Sequence, residues 1–179
     1  MFADLGFHAA SIVKITEAAG VAQGTFYIYF ESKQAVFEEV VLDLNHRVRQ
    51  AMAEGTRDAT TRAEAERGGF RGFFQFTAEH PALYRVIRQA EFVAPAMLER
   101  HYATIATGYV DGLSQAMAAG EIAPADPEVV AWALMAVGEM IGMRWVLWPR
   151  AKEIPPEVFE ETMAFVTRAL GGADGNAAR

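Results

Sequence analysis

Residues 12 to 33 read IVKITEAAGVAQGTFYIYFESK, and this stretch decides the fold. Ile12 and Ile15 begin an apolar stripe at helical spacing, which predicts a short amphipathic helix. Ser11 can accept a hydrogen bond from a free amide of the first turn, and Gly20 can take the left-handed conformation that ends a helix. Both ends of this helix are therefore marked in the sequence.

A second short helix is predicted over residues 22 to 30, because Phe26 and Phe30 lie four positions apart and share one face. Gln, Thr and Tyr side chains remain for its other faces. Two short helices joined by a glycine-containing turn describe a helix-turn-helix, whose second helix can enter the major groove of DNA. The spacing alone fits an ordinary helical corner of an all-α domain equally well.

The residues of this segment favour the DNA-binding interpretation. GF at residues 6 and 7, followed by ITEAAGV, GTFYIYF and SKQAVF, resembles the DNA-binding end of the TetR family of one-component transcriptional regulators. The chain departs from the family pattern at Thr16, where alanine is usual. It departs again at Ala22, which replaces a Ser or Thr and leaves the second helix without a side-chain N-cap.

The resemblance implies an all-α fold with a helix-turn-helix DNA-binding domain in residues 1–48 and a helical ligand-binding and dimerisation domain in 49–172. The residues after the last predicted helix, 173–179, are expected to form a disordered tail. The resemblance also implies binding to a double-stranded operator as a homodimer, a small apolar or aromatic effector, and a repressor role. The positions that match DNA contacts in the family are Gln23, Gly24, Thr25, Tyr27, Tyr29 and Lys33. Among them, glutamine can pair with adenine, and lysine can meet a phosphate.

Only residues 1–5 precede the GF pair, whereas the family has a longer first helix there. We therefore expect that the first helix is largely missing. Either the native protein begins upstream, or this form leaves Ile12, Ile15 and Phe26 exposed. The rival function is a ligand-binding or protein-interaction helical module that has lost DNA binding with that helix.

The amino-acid composition excludes some kinds of site and limits the expected DNA affinity. The chain has 179 residues, 52% of them apolar, and no cysteine, which excludes disulfides and cysteine-based metal sites. No signal peptide is recognisable, so we expect a cytoplasmic protein. The net charge is −7, and residues 1–53 carry four basic and six acidic side chains. Because phosphates favour basic partners, this balance predicts modest DNA affinity with a shallow salt dependence.

Further helices are predicted at about residues 32–55, 62–79, 82–89, 96–119, 126–148 and 156–170, from apolar stripes and from Pro and Gly at their ends. The helix from Asp126 to Trp148 is almost wholly apolar, but Glu139 and Arg144 argue for a buried helix and against a membrane span. We expect the last two helices to form the dimer interface. Gly138 and Gly142 allow close helix packing there, and Gly142→Arg should then give monomers.

No nucleophile elbow, phosphate-binding glycine loop, paired histidines or metal-ligand spacing is present, so the sequence predicts no enzyme, no cofactor and no metal site. An effector pocket could be lined by Phe73, Phe74, Tyr84, Tyr102, Tyr109, Trp132, Met135, Glu139 and Met140, although such a stripe also fits a plain core. Within that set, a carboxylate in an apolar helix needs a partner, either an arginine of the chain or a group of the ligand.

Overall fold

The computed structural model describes residues 1–171, and the predicted tail at 173–179 lies outside them. Every regular element in this range is helical: α1 Phe2–Ala9, α2 Ile12–Ala19, α3 Gln23–Tyr29, α4 Lys33–Thr56, α5 Arg62–Glu79, α6 Ala82–Val93, α7 Pro95–Ala118, α8 Pro127–Gly142, a π-helical turn Met143–Leu147, and α9 Pro156–Ala169. The predicted all-α fold is therefore confirmed.

The helix ends that the sequence marked form as predicted. The Ser11 hydroxyl accepts a hydrogen bond from the backbone N–H of Lys14, and Gly20 ends α2 with φ of 68°. Ala22 starts α3 without a side-chain cap, as expected. The Ser32 hydroxyl accepts from the N–H of Ala35 at the start of α4. Helix α6 continues to Val93, four residues beyond its predicted end.

Contacts group the chain into two compact units, the first made of Met1–Arg47 and Pro81–Tyr102. Its core includes Phe2, Phe26 and Phe37, all buried. The exposure considered for Phe26 in a shortened chain is not observed, and Ile12 and Ile15 are half-buried. Helix α6 lies in this unit although the sequence pattern assigned it to the C-terminal domain. The predicted boundary at residue 48 separates a DNA-binding domain from a ligand-binding and dimerisation domain, and it stays a prediction.

Helix α1 is interrupted at Gly6, whose φ of 77° lies in the left-handed region that favours glycine. The side chain of Gln89 in α6 holds both sides of this break. Its Oε1 accepts from the N–H of Phe7 at 2.7 Å, and its Nε2 donates to the carbonyl of Phe2 at 3.1 Å. The backbone groups of Phe2 and Phe7 on the two sides of the break thus form hydrogen bonds with the side chain of Gln89 in α6.

The second unit contains residues 48–80 and those after residue 102. Its core joins aromatic side chains of α5 to apolar side chains of the later helices, among them Phe70, Phe74, Leu113, Leu134, Phe159 and Val166. The Thr61 hydroxyl and the Glu64 carboxylate form a reciprocal capping box at the start of α5. This unit holds both the cavity and the exposed apolar surface described below.

Helices α4 and α5 cross at very short range in the second unit. A Cβ atom built on Gly68 would lie 1.9 Å from the carbonyl oxygen of Gly55, and one on Gly72 would lie 2.4 Å from that of Ala51. No side chain fits at these distances. The glycines of α5 therefore permit a backbone-to-backbone contact that fixes α5 against the second half of α4.

Helix α8 with its π-helical turn, Pro127–Leu147, is the one segment within residues 1–171 that is long and apolar enough to cross a membrane, with a mean hydropathy of 1.4. Only 33% of this window is buried, so the expectation of a buried helix holds for one side alone. Gly138 lies on that side, where an added Cβ would be 3.6 Å from the rings of Phe70 and Phe73.

This packing corrects the choice of Gly142 as an interface position. Gly142 is buried within its own subunit, like Gly138 one turn before it. An arginine at Gly142 would disrupt the core and would not report on dimerisation. The side of α8 that faces solvent carries Trp132 and Met140 instead.

Candidate nucleic-acid interface and ligand cavity

Helix α3 presents polar and aromatic side chains to solvent. Gln23 and Gly24, at its first turn, are exposed, and a Cβ on Gly24 would meet nothing within 4 Å. Tyr27 is 58% exposed and Tyr29 74% exposed, while Thr25 is half-buried. Five of the six predicted DNA-contact positions thus lie on one short helix, and four of these five are exposed.

Sequence reasoning missed Ile28, which lies between the two tyrosines and is 76% exposed. A large apolar side chain at this exposure on a seven-residue helix has no role in the core. The signal was present in the sequence, since Phe26 and Phe30 already occupy the core face and leave Ile28 outside it. Apolar side chains can contact the methyl group of thymine.

Lys33, the sixth predicted position, is engaged within the first unit. Its Nζ donates to the carbonyl of Phe7 at 2.7 Å and lies 3.5 Å from the carbonyl of His8. The Lys14 ammonium similarly donates to the carbonyl of Ala9 at 3.1 Å. Two lysines therefore satisfy carbonyls at the end of α1, where a positive charge is favoured by the helix dipole.

A cavity of about 310 Å³ lies in the second unit between α5, the second half of α4 and the middle of α7. Its wall includes Met52 and Thr56 of α4, Glu66 and Gly69 of α5, and Ile105 and Tyr109 of α7. Apolar walls with a few polar groups are typical of small-molecule sites, which commonly measure about 300–1,000 Å³. The cavity is therefore a candidate effector site.

Glu66 and Arg62 form an ion pair on the wall of this cavity. Oε1 of Glu66 accepts from Nε of Arg62 at 2.8 Å and from its Nη2. Burial raises the pKa of Glu66 above its ordinary value, and the guanidinium of Arg62 opposes this shift. Desolvation and the nearby Glu66 carboxylate also raise the pKa of Tyr109 well above its ordinary value, so its hydroxyl stays protonated.

The structure does not bring the predicted pocket residues together. Tyr109 lines the cavity, whereas Met140 lines a separate apolar groove on α8 and α9. Phe73, Phe74 and Met135 pack in the core of the second unit, Trp132 is exposed, and Glu139 is half-buried with interactions of its own. Tyr84 and Tyr102 belong to the first unit. Arg62 and Glu66 were not foreseen.

Residues 1–40 match the model of the bacterial regulatory proteins of the tetR family. The chain is 33% identical over 97 residues to the transcriptional activator FasR of Mycolicibacterium smegmatis, a match that covers 52% of this chain and 42% of FasR. The chain thus spans about two-fifths of the length of this relative.

Solved structures share the fold over nearly the whole chain. A TetR-family transcriptional regulator from Rhodococcus sp. superposes with a TM-score of 0.79 at 22% identity, covering 94% of this chain and 92% of that one. The regulator FadR from Bacillus subtilis, solved with stearoyl-CoA, gives 0.78 at 18% identity over 96% and 93%. The chain is therefore similar to the tetR family in its N-terminal segment, and it has the fold of solved TetR-family regulators.

Proposed function

We propose that the protein is a transcriptional regulator that binds a roughly palindromic operator as a homodimer and releases it when a small molecule occupies the cavity of the second unit. The observation that carries the DNA-binding part is the outward surface of α3. Four of the positions that match DNA contacts in the family are exposed there, on the second helix of a helix-turn-helix whose first helix is capped at both ends.

In this proposal the residues of α3 contact different parts of the DNA. Gln23 reads a base edge, because its amide can pair bidentately with adenine. Gly24 lets the backbone approach the DNA closely, and Thr25 offers a hydroxyl group and a methyl group. The hydroxyl groups of Tyr27 and Tyr29 contact phosphates, which positions α3 without reading sequence.

The charge of the chain sets the expected salt dependence. Each phosphate neutralised by a lysine or arginine contributes about 0.9 to the slope of log K against log salt. With a net charge of −7 and few basic residues in the first 53, most phosphate contacts must come from hydroxyl groups and backbone amides. We therefore propose a shallow slope and an affinity that depends on pairing two subunits on one operator.

The dimer is proposed to form through α8 and α9. Met140 is 55% exposed and Phe165 52% exposed, and both line an apolar groove between these helices. Glu157 and Glu161 also line this groove and are exposed, which fits a polar rim around an apolar centre. A second copy of the same surface would cover it by two-fold symmetry, as in a four-helix arrangement.

Ligand control is proposed to act through α4. This helix begins at Lys33, directly after the helix-turn-helix, and its later residues Met52 and Thr56 line the cavity. A molecule in the cavity therefore contacts the helix that continues from the DNA-binding segment. It can change DNA affinity only if it binds the DNA-free conformation more tightly than the DNA-bound one.

The first candidate is a repressor. Such a protein blocks transcription while it is bound to the operator, and its release on ligand binding turns expression on. An activator is the second candidate, favoured by the similarity to the activator FasR over 97 residues. A third possibility is a helical module without DNA binding. The exposed α3 surface favours the first two over this module, and an intracellular location follows from either of them.

The test is a selection from random double-stranded DNA with the full chain, followed by gel shifts on the selected site. Gln23→Ala should weaken binding by about 1–3 kcal/mol and relax preference at one base pair. Gly24→Ala should also weaken binding, although its side chain meets nothing in the free protein. Gln115→Ala, an exposed glutamine of α7, is the matched control and should bind normally.

Two outcomes would contradict the proposal. Recovery of no enriched sequence would favour the module without DNA binding. Equal losses on the selected site and on random DNA for Gln23→Ala would exclude a base-reading role for that side chain. Repressor and activator are separated by transcription from a promoter that carries the selected site.

A further inference from the structure

One buried carboxylate oxygen in the second unit has no partner within residues 1–171. Glu66 is 2% exposed, and its Oε1 accepts both hydrogen bonds from Arg62. Its Oε2 is buried without a hydrogen-bond partner. Glu66 is also part of the wall of the cavity. Because an unpaired buried acceptor is unfavourable, this oxygen is a suitable acceptor for a donor that the described residues do not supply.

Arg62 makes further contacts that favour its position beside Oε1. Its backbone N–H donates to Oε2 of Glu121 at 2.7 Å, and its guanidinium lies 5.7 Å from the centre of the Tyr109 ring. A Cβ atom on Gly112 would lie 2.5 Å from Nη1 of Arg62, so the glycine makes room for the guanidinium. These contacts hold Arg62 against Oε1 and leave Oε2 open to another donor.

The charges on the wall select a neutral donor. The guanidinium of Arg62 already neutralises the Glu66 carboxylate, and Arg49, which also lines the wall, has interactions of its own. No excess negative charge remains to attract a cation. An anion has no proton to give to Oε2 and is repelled by the carboxylate at short range.

The rest of the wall is largely apolar or small. Met52, Ala65, Ile105 and Gly69 contribute no charged group, and a Cβ on Gly108 would meet nothing within 4 Å. A volume of about 310 Å³ lies at the lower end of the range for small-molecule sites. The body of the ligand is therefore compact and apolar.

We propose that this cavity binds a small, neutral, mainly apolar molecule through a single hydroxyl or N–H group that donates a hydrogen bond to Oε2 of Glu66. Arg62 is the positioning residue, because it orients the carboxylate and leaves Oε2 available. The inference deepens the proposed function and rests on it only in treating the bound molecule as the effector.

The test compares four probes that share a 4-propylphenyl group by calorimetric titration of the full chain without DNA: 4-propylphenol, 4-propylanisole, 4-propylbenzylamine and 4-propylbenzoate. The phenol is a neutral donor, the anisole lacks the donor, the amine is a cation and the benzoate an anion. We expect the phenol to bind at least tenfold more tightly than each of the others. Equal binding of phenol and anisole, or tighter binding of the amine or the benzoate, would overturn the proposal.

A variant tests the assignment to Glu66 itself. Glu66→Gln keeps the shape of the side chain but replaces one acceptor oxygen by an NH₂ donor, so the preference for phenol over anisole should disappear. Glu79→Gln, at an exposed carboxylate of the same helix, should keep the preference. A preference retained in Glu66→Gln would overturn the proposal. If Glu66→Gln does not fold, the four probes on the unmodified chain decide alone.

Because this titration contains no DNA, its outcome is independent of the operator experiment. A protein that selects an operator but shows no preference for the phenol loses only the proposed ligand class. A protein that prefers the phenol but selects no DNA loses only the proposed regulatory role.

Discussion

The ammonium nitrogen of Lys33 lies 2.7 Å from the carbonyl oxygen of Phe7 and 4.3 Å from the centre of the Phe7 ring. The family pattern assigns this lysine to a DNA phosphate, yet here it also closes the end of α1. An ammonium group has three N–H donors, and the carbonyls of Phe7 and His8 occupy at most two of them. One donor remains for a phosphate, so both roles are compatible.

Lys33→Ala should show both roles at once. Loss of a charged hydrogen-bond donor from a half-buried site should lower the free energy of unfolding by about 1–2 kcal/mol in urea denaturation. Loss of one phosphate contact should reduce the salt slope of DNA binding by about 0.9. Lys152→Ala, at an exposed lysine of the second unit, should change neither quantity. If the variant has an unchanged salt slope of DNA binding and a reduced free energy of unfolding, the role of Lys33 is structural only.

The sequence predicted those features that depend on local chemistry. Ser11, Gly20 and Ser32 act on backbone groups within a few residues of themselves, so their roles as caps were visible without the structure. The bridge from Gln89 to Phe2 and Phe7 was not, because more than eighty residues separate these partners. The same holds for the crossing of α4 and α5, where a glycine pair becomes informative only once the two helices are placed together.

In the candidate sites, too, the sequence predicted local features and missed contacts between distant parts of the chain. The outward residues of α3 follow from the positions of Phe26 and Phe30 on its core face. Glu66 was missed because it stands in RAEAERGG, a run that is typical of a solvated helix face. Its burial depends on Arg62 one turn before it and on Tyr109 from α7, a helix that follows much later in the chain.

A pair of alanine substitutions tests the crossing of α4 and α5. Gly68→Ala should lower the free energy of unfolding by about 1–3 kcal/mol, because its Cβ would lie 1.9 Å from the carbonyl oxygen of Gly55. Gly108→Ala, also inside a helix but facing open space, should instead raise it by about 0.5–1 kcal/mol. Chemical denaturation of both variants measures the difference. Equal effects of the two substitutions would contradict the close crossing.

The proposed dimer surface is tested by placing charge in its apolar groove. Met140→Glu and Phe165→Glu should each convert the dimer to monomers in light scattering, because a pairing by two-fold symmetry buries two new carboxylates without partners. Phe92→Glu is the control, since Phe92 is also a large apolar side chain, is 83% exposed and lies in the first unit. Dimers that persist in both α8 and α9 variants would place the interface elsewhere.

The last prediction concerns the dependence of stability on pH. Burial raises the pKa of Glu66 above its ordinary value of 4.5, although Arg62 opposes the shift. A carboxyl group whose pKa is raised on folding favours the folded state below its unfolded pKa, and this contribution is lost as the pH rises through the folded pKa. Gln at this position cannot ionise and carries no such dependence. The stability of Glu66→Gln relative to the unmodified chain should therefore increase from about pH 4 to pH 8 in urea denaturation. An unchanged slope of free energy against urea in both proteins keeps the comparison valid. A relative stability that stays constant would show that Arg62 compensates the burial of Glu66 completely, and one that falls with rising pH would show that the pKa of Glu66 is lowered on folding.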